Sequence, residues 1–169
     1  MKYALLAFLI LAILLSTCSP TVLPTYEPNL TEVNLQAKFE VPEEFTADAP
    51  ADVMKYLVWL PDGFHDDSEK TWPLIFFLHG SGSDESDSAF VMSSGLPEVL
   101  YTGDQPDDFP FVVVSPQALA GLPWWGGVTP DILMALLDEV TELYQIDQSR
   151  LYLTGLSMGG YGSWLLTAA

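Results

Sequence analysis

The chain contains three mostly apolar runs, and each ends at glycine or proline. They are "PLIFFLHG" (73–80), "FPFVVVSP" (109–116) and "RLYLTG" (150–155). Strands of a parallel sheet carry runs of this kind, because helices cover both of its faces. The pattern therefore predicts three central parallel strands.

Two earlier segments have the features of β-strands. Apolar and polar residues alternate strictly in "VNLQAKF" (33–39), which predicts a half-buried strand. Aromatic and β-branched residues fill "VMKYLVWL" (53–60), and the turn residues 61–63 end it. We expect an antiparallel pair at the N-terminal side of the sheet.

A helix is predicted over 129–145. Thr129 is a suitable N-cap, and Pro130 suits the first helical position. The apolar positions recur at helical spacing and form one stripe: Ile132, Leu133, Leu136, Leu137, Val140, Leu143 and Tyr144. A shorter helix is predicted from Ser86 to Ser94. Strands that alternate with helices indicate the α/β class.

The acidic composition limits the possible partners. The 169 residues suit one domain and carry a formal net charge of -18 at pH 7. No Lys or Arg lies between Lys70 and Arg150. Nucleic acid binding needs Lys and Arg contacts to phosphate, so we expect no nucleic acid partner. We interpret the acidity as a solvated surface.

The first 18 residues are typical of an export signal. Lys2 precedes an apolar run of 13 residues, which is too short for a lasting membrane span and suits a signal peptide. Cys18 follows in "LLSTC", which resembles the lipobox of bacterial lipoproteins. We expect an exported protein, lipidated at Cys18 and thereby attached to a membrane of the cell envelope. Ordinary cleavage and secretion, with an incidental cysteine, is the alternative.

A tether is predicted over 19–31, which is rich in proline and threonine, and one folded unit over 32–169. A single cysteine excludes an internal disulfide and a cysteine-based zinc site. Three acids, Asp84, Glu85 and Asp87, are interpreted as solvated loop residues. We expect no metal and no cofactor.

The segment "GLSMG" (155–159) fits G-x-S-x-G and directly follows a predicted strand. On a sharp strand-to-helix turn, Ser157 is held in a strained conformation with its hydroxyl exposed. The N–H of Met158 would point at an oxyanion. We expect Gly160 and Gly162 to let the next helix pack closely. The alternative is an ordinary glycine-rich turn with a capping serine.

A glycine-rich loop, "LHGSGS" (78–83), follows the first central strand. Hydrolases with a G-x-S-x-G turn take a second oxyanion donor from this loop, and the N–H of Ser81, then of Gly82, is our candidate. We expect His79 to brace the loop rather than act as a base. His65 is interpreted as a surface residue.

Adjacent tryptophans, Trp124 and Trp125, follow the second central strand in a Gly/Pro loop. Open α/β sheets bind ligands at this end, so the pair is a candidate substrate site for an aromatic acyl or sugar-bearing group. The alternative is that one ring fills the core beneath the loop.

Several spaced segments together resemble a known family. They are "YLVWLPDGF", "WPLIFFLHGSGS", "GLPEVL", "FVVVSPQ", "WW" and "LLDEVTELYQIDQSRLYLTGLSMGGYGSW". Residues 33–169 resemble the esterase and predicted-peptidase branch of the α/β-hydrolase superfamily, near feruloyl and polyhydroxybutyrate-depolymerase-like esterases. The resemblance implies a three-layer α/β sandwich and an acyl-enzyme mechanism. Ser157 would attack the carbonyl, Met158 and Ser81 would bind the oxyanion, and an Asp followed by a His would complete the triad.

The sequence departs from the family where the triad should be completed. Residues 163–169, "SWLLTAA", hold no acid and no histidine, and both histidines precede Ser157. We therefore expect this chain to be the N-terminal portion of the hydrolase, with little activity by itself. The nucleophile strand should then expose an unpaired, apolar edge.

The sequence thus predicts a serine hydrolase that acts on small-molecule or polymer-derived carboxylic esters. A peptidase of the same fold is the alternative within the enzymes. A surface lipoprotein that retains the scaffold only for binding is the alternative outside them.

Overall fold

The computed structural model describes the residues 30–36, 53–82, 88–118, 123–125 and 130–168. The predicted signal peptide, the candidate lipidation site Cys18 and the predicted cap Thr129 lie outside the described residues. So do the acids Asp84, Glu85 and Asp87.

The described strands form one five-stranded mixed sheet with the order β1-β2-β4-β3-β5. Their bounds are β1 Leu30–Gln36, β2 Val53–Trp59, β3 Trp72–Leu78, β4 Val112–Pro116 and β5 Ile146–Gly155. β3 pairs in parallel with both β4 and β5. The three predicted central parallel strands are therefore confirmed.

β1 and β2 form the predicted antiparallel pair, and β2 also pairs antiparallel with β4. β1 begins at Leu30, three residues before the predicted strand, and it includes the last two residues of the predicted tether. Leu30 pairs with Trp59 and Gln36 with Val53, so the whole length of β2 is used. The alternation of apolar and polar residues shows which face of the strand each residue occupies, whereas pairing with the partner strand determines where the strand begins and ends.

The four described helices are α1 Ser88–Val91, α2 Leu96–Thr102, α3 Pro130–Leu143 and α4 Met158–Ala168. α1 is shorter than the helix predicted over 86–94. α2 was not predicted, because Gly95 and Gly103 enclose only two turns. Both glycines have positive φ, 71° and 78°. Among the described residues, no helix is long and apolar enough to cross a membrane.

α3 begins at Pro130, as predicted, and its apolar stripe faces the sheet. Most of the stripe is buried or packs against the core. Leu143 is the exception, since 59% of its side chain is exposed in the last helical residue. The prediction was wrong for Leu143, whereas Tyr144, which follows it, packs against the core.

The two faces of the sheet carry separate apolar clusters. Leu74, Phe76 and Leu78 of β3 belong to the larger cluster, which also contains buried residues of α3 and α4. Phe77 points to the other face and packs in a cluster with Leu100 of α2. Both faces are thus covered, which explains why the central strands lack polar alternation.

β5 is the outermost strand of the described sheet, beside β3. Two of its apolar side chains are exposed: Leu151 by 40% and Tyr152 by 51%. The other exposed side chains of β5 are polar, so the expected apolar edge is confirmed only at Leu151 and Tyr152.

Candidate active site

Ser157 lies on the turn that joins β5 to α4. β5 ends at Gly155 and α4 begins at Met158, so the chain reverses within two residues. Ser157 has a φ of 50° and an exposed side chain. A non-glycine residue in this left-handed region costs about 1–2 kcal/mol. The backbone of Ser157 therefore has the predicted strained conformation, and its side chain is exposed, as predicted.

The turn is held against the end of β3. Leu156 N–H donates to Leu78 O at 3.0 Å, and Gly159 N–H donates back to Leu156 O at 2.8 Å. A Cβ on Gly159 would lie 1.8 Å from Leu78 O, and one on Gly155 would lie 2.4 Å from the backbone of Gly159. The first turn of α4 therefore fits against β3 only when both positions are glycine.

The two glycines predicted to allow close packing of α4 differ. A Cβ on Gly162 would lie 2.7 Å from Trp124 Cβ, so close packing is confirmed there. A Cβ on Gly160 would meet only Gly155 O, at 3.6 Å, which is ordinary contact. The prediction was wrong for Gly160, because this residue faces outward from the helix.

Met158, the predicted oxyanion donor, is the first residue of α4. The first amides of a helix have no acceptor within it, and they lie at the positive end of the helix dipole. The next amides are used within the turn, since Gly160 N–H donates to Ser157 O at 2.9 Å. The position of Met158 suits the predicted role, which stays a prediction.

The loop after β3 lies beside Ser157. A Cβ on Gly80 would be 3.6 Å from Ser157 Cβ and 3.3 Å from Leu156 O. The residues that follow Gly80, Ser81 and Gly82, are the predicted second oxyanion donors. The structure therefore brings both candidate donor segments to one place.

His79 is buried and braces this loop, as predicted. Its Nδ1–H donates to Gly80 O at 2.6 Å, and its Nε2 accepts the N–H of Ala118 at 3.0 Å. A carbonyl only accepts and an amide N–H only donates, so these partners fix the neutral tautomer with the proton on Nδ1. The lone pair that a general base would need is used by Ala118.

The bond from His79 also sets the direction of the Ser81 amide. In a trans peptide the C=O and the following N–H point in opposite directions, and the described residues contain no cis peptide. Because Gly80 O points to the buried imidazole, Ser81 N–H points away from it. Ser81 is exposed.

Gly82, the other candidate donor, has a packing role. A Cβ on Gly82 would lie 1.9 Å from the ring of Phe90. Phe90 also contacts His79 edge-on, with ring centroids 5.5 Å apart. A side chain at Gly82 would therefore require the ring of Phe90 to move, and a donor role for Gly82 stays a prediction.

His65 lies on the exposed surface of the loop after β2, as predicted. β2 is antiparallel to β4, so this loop lies at the amino end of the parallel strands. Phe64, next to His65, contacts Trp72 at the start of β3. Ser157 follows the carboxyl end of β5. Neither histidine of the chain is therefore placed to activate Ser157.

The adjacent tryptophans have different environments. Trp124 is 1% exposed, and its indole N–H donates to His79 O at 2.8 Å. The prediction that Trp124 contacts substrate was wrong, because its ring fills the core beneath the loop. Trp125 is 54% exposed and contacts Tyr161 edge-on at 5.8 Å. Trp125 alone is available as the predicted substrate contact.

An open apolar hollow of about 500 Å³ adjoins Ser157 and is lined by Gly160, Tyr161 and Trp164. A neighbouring hollow is lined by Trp125, Tyr161, Trp164 and Leu165. Tyr161 and Trp164 were not predicted as site residues. Tyr161 and Trp164 are three residues apart, which places them on one face of the helix that follows the serine turn, and this spacing was the available signal.

The described side chains with clearly shifted pKa values, Asp147 and Tyr56, lie away from Ser157. The hydroxyl and amide of Ser149 and the guanidinium of Arg150 lower the pKa of Asp147 to about 2, at the amino end of β5. Burial raises the pKa of Tyr56 on β2. Within the described ranges, no cluster of three His, Cys, Asp or Glu side chains could hold a metal ion.

Comparisons with known proteins give consistent results for the fold. No protein-family model matches the chain. The chain is 33% identical over 116 residues to the probable feruloyl esterase C of Aspergillus terreus. That match covers 68% of this chain and 41% of the relative.

Solved structures match over most of the chain. A thermostable esterase superposes with a TM-score of 0.52 at 23% identity, over 81% of this chain and 36% of its own. A ferulic acid esterase gives 0.51 at 20% identity, over 82% and 54%. FphF, a fluorophosphonate-binding serine hydrolase of Staphylococcus aureus, gives 0.55 at 17% identity, over 81% and 50%. At these identities the likeness concerns the fold. The chain spans about a third to a half of the length of these proteins.

Proposed function

The chain has the esterase-type α/β-hydrolase fold over the portion that it shares with these proteins, and we propose that it supplies the nucleophile of a carboxylic ester hydrolase. The nucleophile is Ser157, and the reaction passes through an acyl-enzyme. The observation that carries this proposal is the positive φ of Ser157 on a tight strand-to-helix turn, beside the loop at Gly80. Backbone strain of this kind concentrates at functional sites.

The proposed first step is attack of Ser157 Oγ on the ester carbonyl carbon. The carbonyl oxygen becomes negative and accepts hydrogen bonds from the N–H groups of Met158 and Ser81. The alcohol then leaves with the proton taken from the serine, and water hydrolyses the acyl-enzyme by the same route. Removal of a single oxyanion donor costs about 2.7–4 kcal/mol in other serine hydrolases, which is the scale expected here.

The base that takes the serine proton is proposed to lie outside these 169 residues. His79 uses both ring nitrogens in bracing the loop, and His65 lies at the other end of the sheet. The chain holds no third histidine. We propose that an Asp and a His from further polypeptide complete the triad. The 169 residues alone should then lose about 10⁴–10⁶ in rate.

The substrate is proposed to be an ester with an aromatic acyl group. Tyr161 and Trp164 expose aromatic surface next to Ser157, and Trp125 extends this surface through its edge-on contact with Tyr161. Offset or edge-on ring contacts with an aromatic acyl group are favourable. The relative from Aspergillus terreus is named as a feruloyl esterase, which supports this choice.

A side-by-side assay tests the proposal in the full-length gene product. We expect hydrolysis of methyl ferulate and of p-nitrophenyl acetate, and no cleavage of peptide amides. Ser157→Ala should abolish turnover. Ser163→Ala is the matched control, because its hydroxyl bonds to Gly159 O within the same helix, and it should keep the activity. Full activity in Ser157→Ala would contradict the proposal, and preferential amide cleavage would favour the peptidase.

We also propose that the protein is exported and lipidated at Cys18. The support is the basic-then-apolar N-terminus that precedes the cysteine. Metabolic labelling with an alkyne fatty acid in bacterial cells should mark the protein, and Cys18→Ala should remove the label. Equal labelling of both forms would contradict lipidation at this residue.

A further inference from the structure

We propose that Trp124 is a positioning residue for the oxyanion site: its indole N–H fixes the peptide at His79 and thereby the direction of the Ser81 amide. The inference rests on the proposed function of Ser157. Trp124 would then contribute to catalysis from the core, without contacting the substrate.

The bond from Trp124 is short and shielded. The indole Nε1–H donates to His79 O at 2.8 Å, and both residues are buried. The indole also lies edge-on to the imidazole, with ring centroids 5.0 Å apart. A hydrogen bond between buried groups is stronger than one in water, because the local dielectric constant is low.

Two successive peptides of the loop are fixed in this way. Trp124 holds His79 O, which sets the plane of the peptide between His79 and Gly80. The imidazole, held by Ala118, then holds Gly80 O, which sets the next peptide. The N–H of that second peptide belongs to Ser81. Loss of the first bond would free the backbone on which the second depends.

Trp124 also contacts the helix that carries the other proposed donor. A Cβ on Gly162 would lie 2.7 Å from Trp124 Cβ and 2.9 Å from Trp124 Cγ. α4 begins at Met158, little more than one helical turn before Gly162. One side chain therefore contacts both backbone segments whose amides must converge on the oxyanion.

A purely structural role would not require the indole N–H. Trp59 and Trp72 are also buried, and neither indole nitrogen has a hydrogen-bond partner in the described structure. The fold thus tolerates a buried indole without a bond. The bond of Trp124 is distinguished by its acceptor, which lies in the loop beside Ser157.

The test replaces the N–H and keeps the ring in the full-length gene product. Trp124→Phe, and incorporation of benzothienylalanine at position 124, both remove the donor, and the second keeps the shape of the indole. We expect kcat for p-nitrophenyl acetate to fall about ten-fold, the scale of one buried hydrogen bond, with KM within two-fold. Labelling of Ser157 by a fluorophosphonate should slow by a similar factor.

Trp72→Phe is the matched control, because it removes a buried indole at the opposite end of the sheet, and it should leave kcat unchanged. Wild-type kcat with benzothienylalanine, or an equal fall in Trp72→Phe, would overturn the inference. If Ser157 of the wild-type protein takes no label at all, the proposed function fails instead. The two failures are therefore distinguishable, even where Trp124→Phe does not fold.

Discussion

The contact between Gly159 and the end of β3 permits a quantitative prediction for Gly159→Ala. The new Cβ would lie 1.8 Å from Leu78 O, 2.4 Å from Leu78 C and 2.8 Å from His79 O. All three are backbone atoms, so no side chain can rotate away. A carbon–oxygen contact normally needs about 3.3 Å, and α4 must therefore withdraw by about 1.5 Å.

The expected cost follows from this displacement. Overpacking a core costs about 1–3 kcal/mol, and a backbone clash lies at the upper end of that range. Alanine regains about 1 kcal/mol of helix propensity over glycine. The net destabilisation should be about 2 kcal/mol. Withdrawal of α4 also separates Met158 from the loop at Ser81, and a misplacement of about 1 Å can lower a catalytic rate about 100-fold.

The neighbouring residue provides the control for stability. A Cβ on Gly160 would meet only ordinary contact at 3.6 Å, so Gly160→Ala should stabilise the protein by up to about 1 kcal/mol. Urea unfolding monitored by tryptophan fluorescence should show a midpoint about 1 M lower for Gly159→Ala, given a typical dependence on urea. Equal midpoints for the two variants, with unchanged labelling of Ser157, would show that the backbone contact at Gly159 does not position α4.

Two further predictions concern the core and the titration of β5. Leu136 is fully buried, so Leu136→Ala should destabilise by about 2–5 kcal/mol, whereas exposed Leu143→Ala should stay within about 0.5 kcal/mol, both by urea unfolding. Similar losses for both would contradict the described burial. The pKa of Asp147 is lowered to about 2, chiefly by the hydroxyl of Ser149. The carboxylate therefore stabilises the fold at a pH above the ordinary pKa of an aspartate, and this contribution is lost as the pH falls towards 2. Ser149→Ala should raise the pKa of Asp147 in an NMR titration, and an unchanged value would show that the hydroxyl bond is not formed.

The central strands and the serine turn could be predicted from sequence for a physical reason. Burial on both faces of a parallel sheet produces unbroken apolar runs, such as that of β3. The serine turn combines a strand, small residues and a helix start in a fixed order. Each of these patterns is local in the sequence, so neighbouring residues were sufficient to predict the structure.

Features that depend on packing partners were not predictable in this way. Trp124 and Trp125 are adjacent letters, yet one fills the core and the other is exposed, because successive residues of the loop point in different directions. Gly159 and Gly160 are also adjacent and identical residues, but they differ by about 100° of rotation around the helix axis. Gly159 therefore faces the backbone of β3, whereas Gly160 faces the open side of the helix. The helix α2 was missed because two turns give too little periodicity.

We propose that the hydroxyl of Ser157 is the nucleophile. Incubation of the full-length gene product with a fluorophosphonate, followed by peptide mass spectrometry, tests it most directly. A single adduct is expected on the peptide that contains Ser157, and no adduct is expected in Ser157→Ala. An unmodified Ser157 in active protein, or an adduct on another serine, would contradict it.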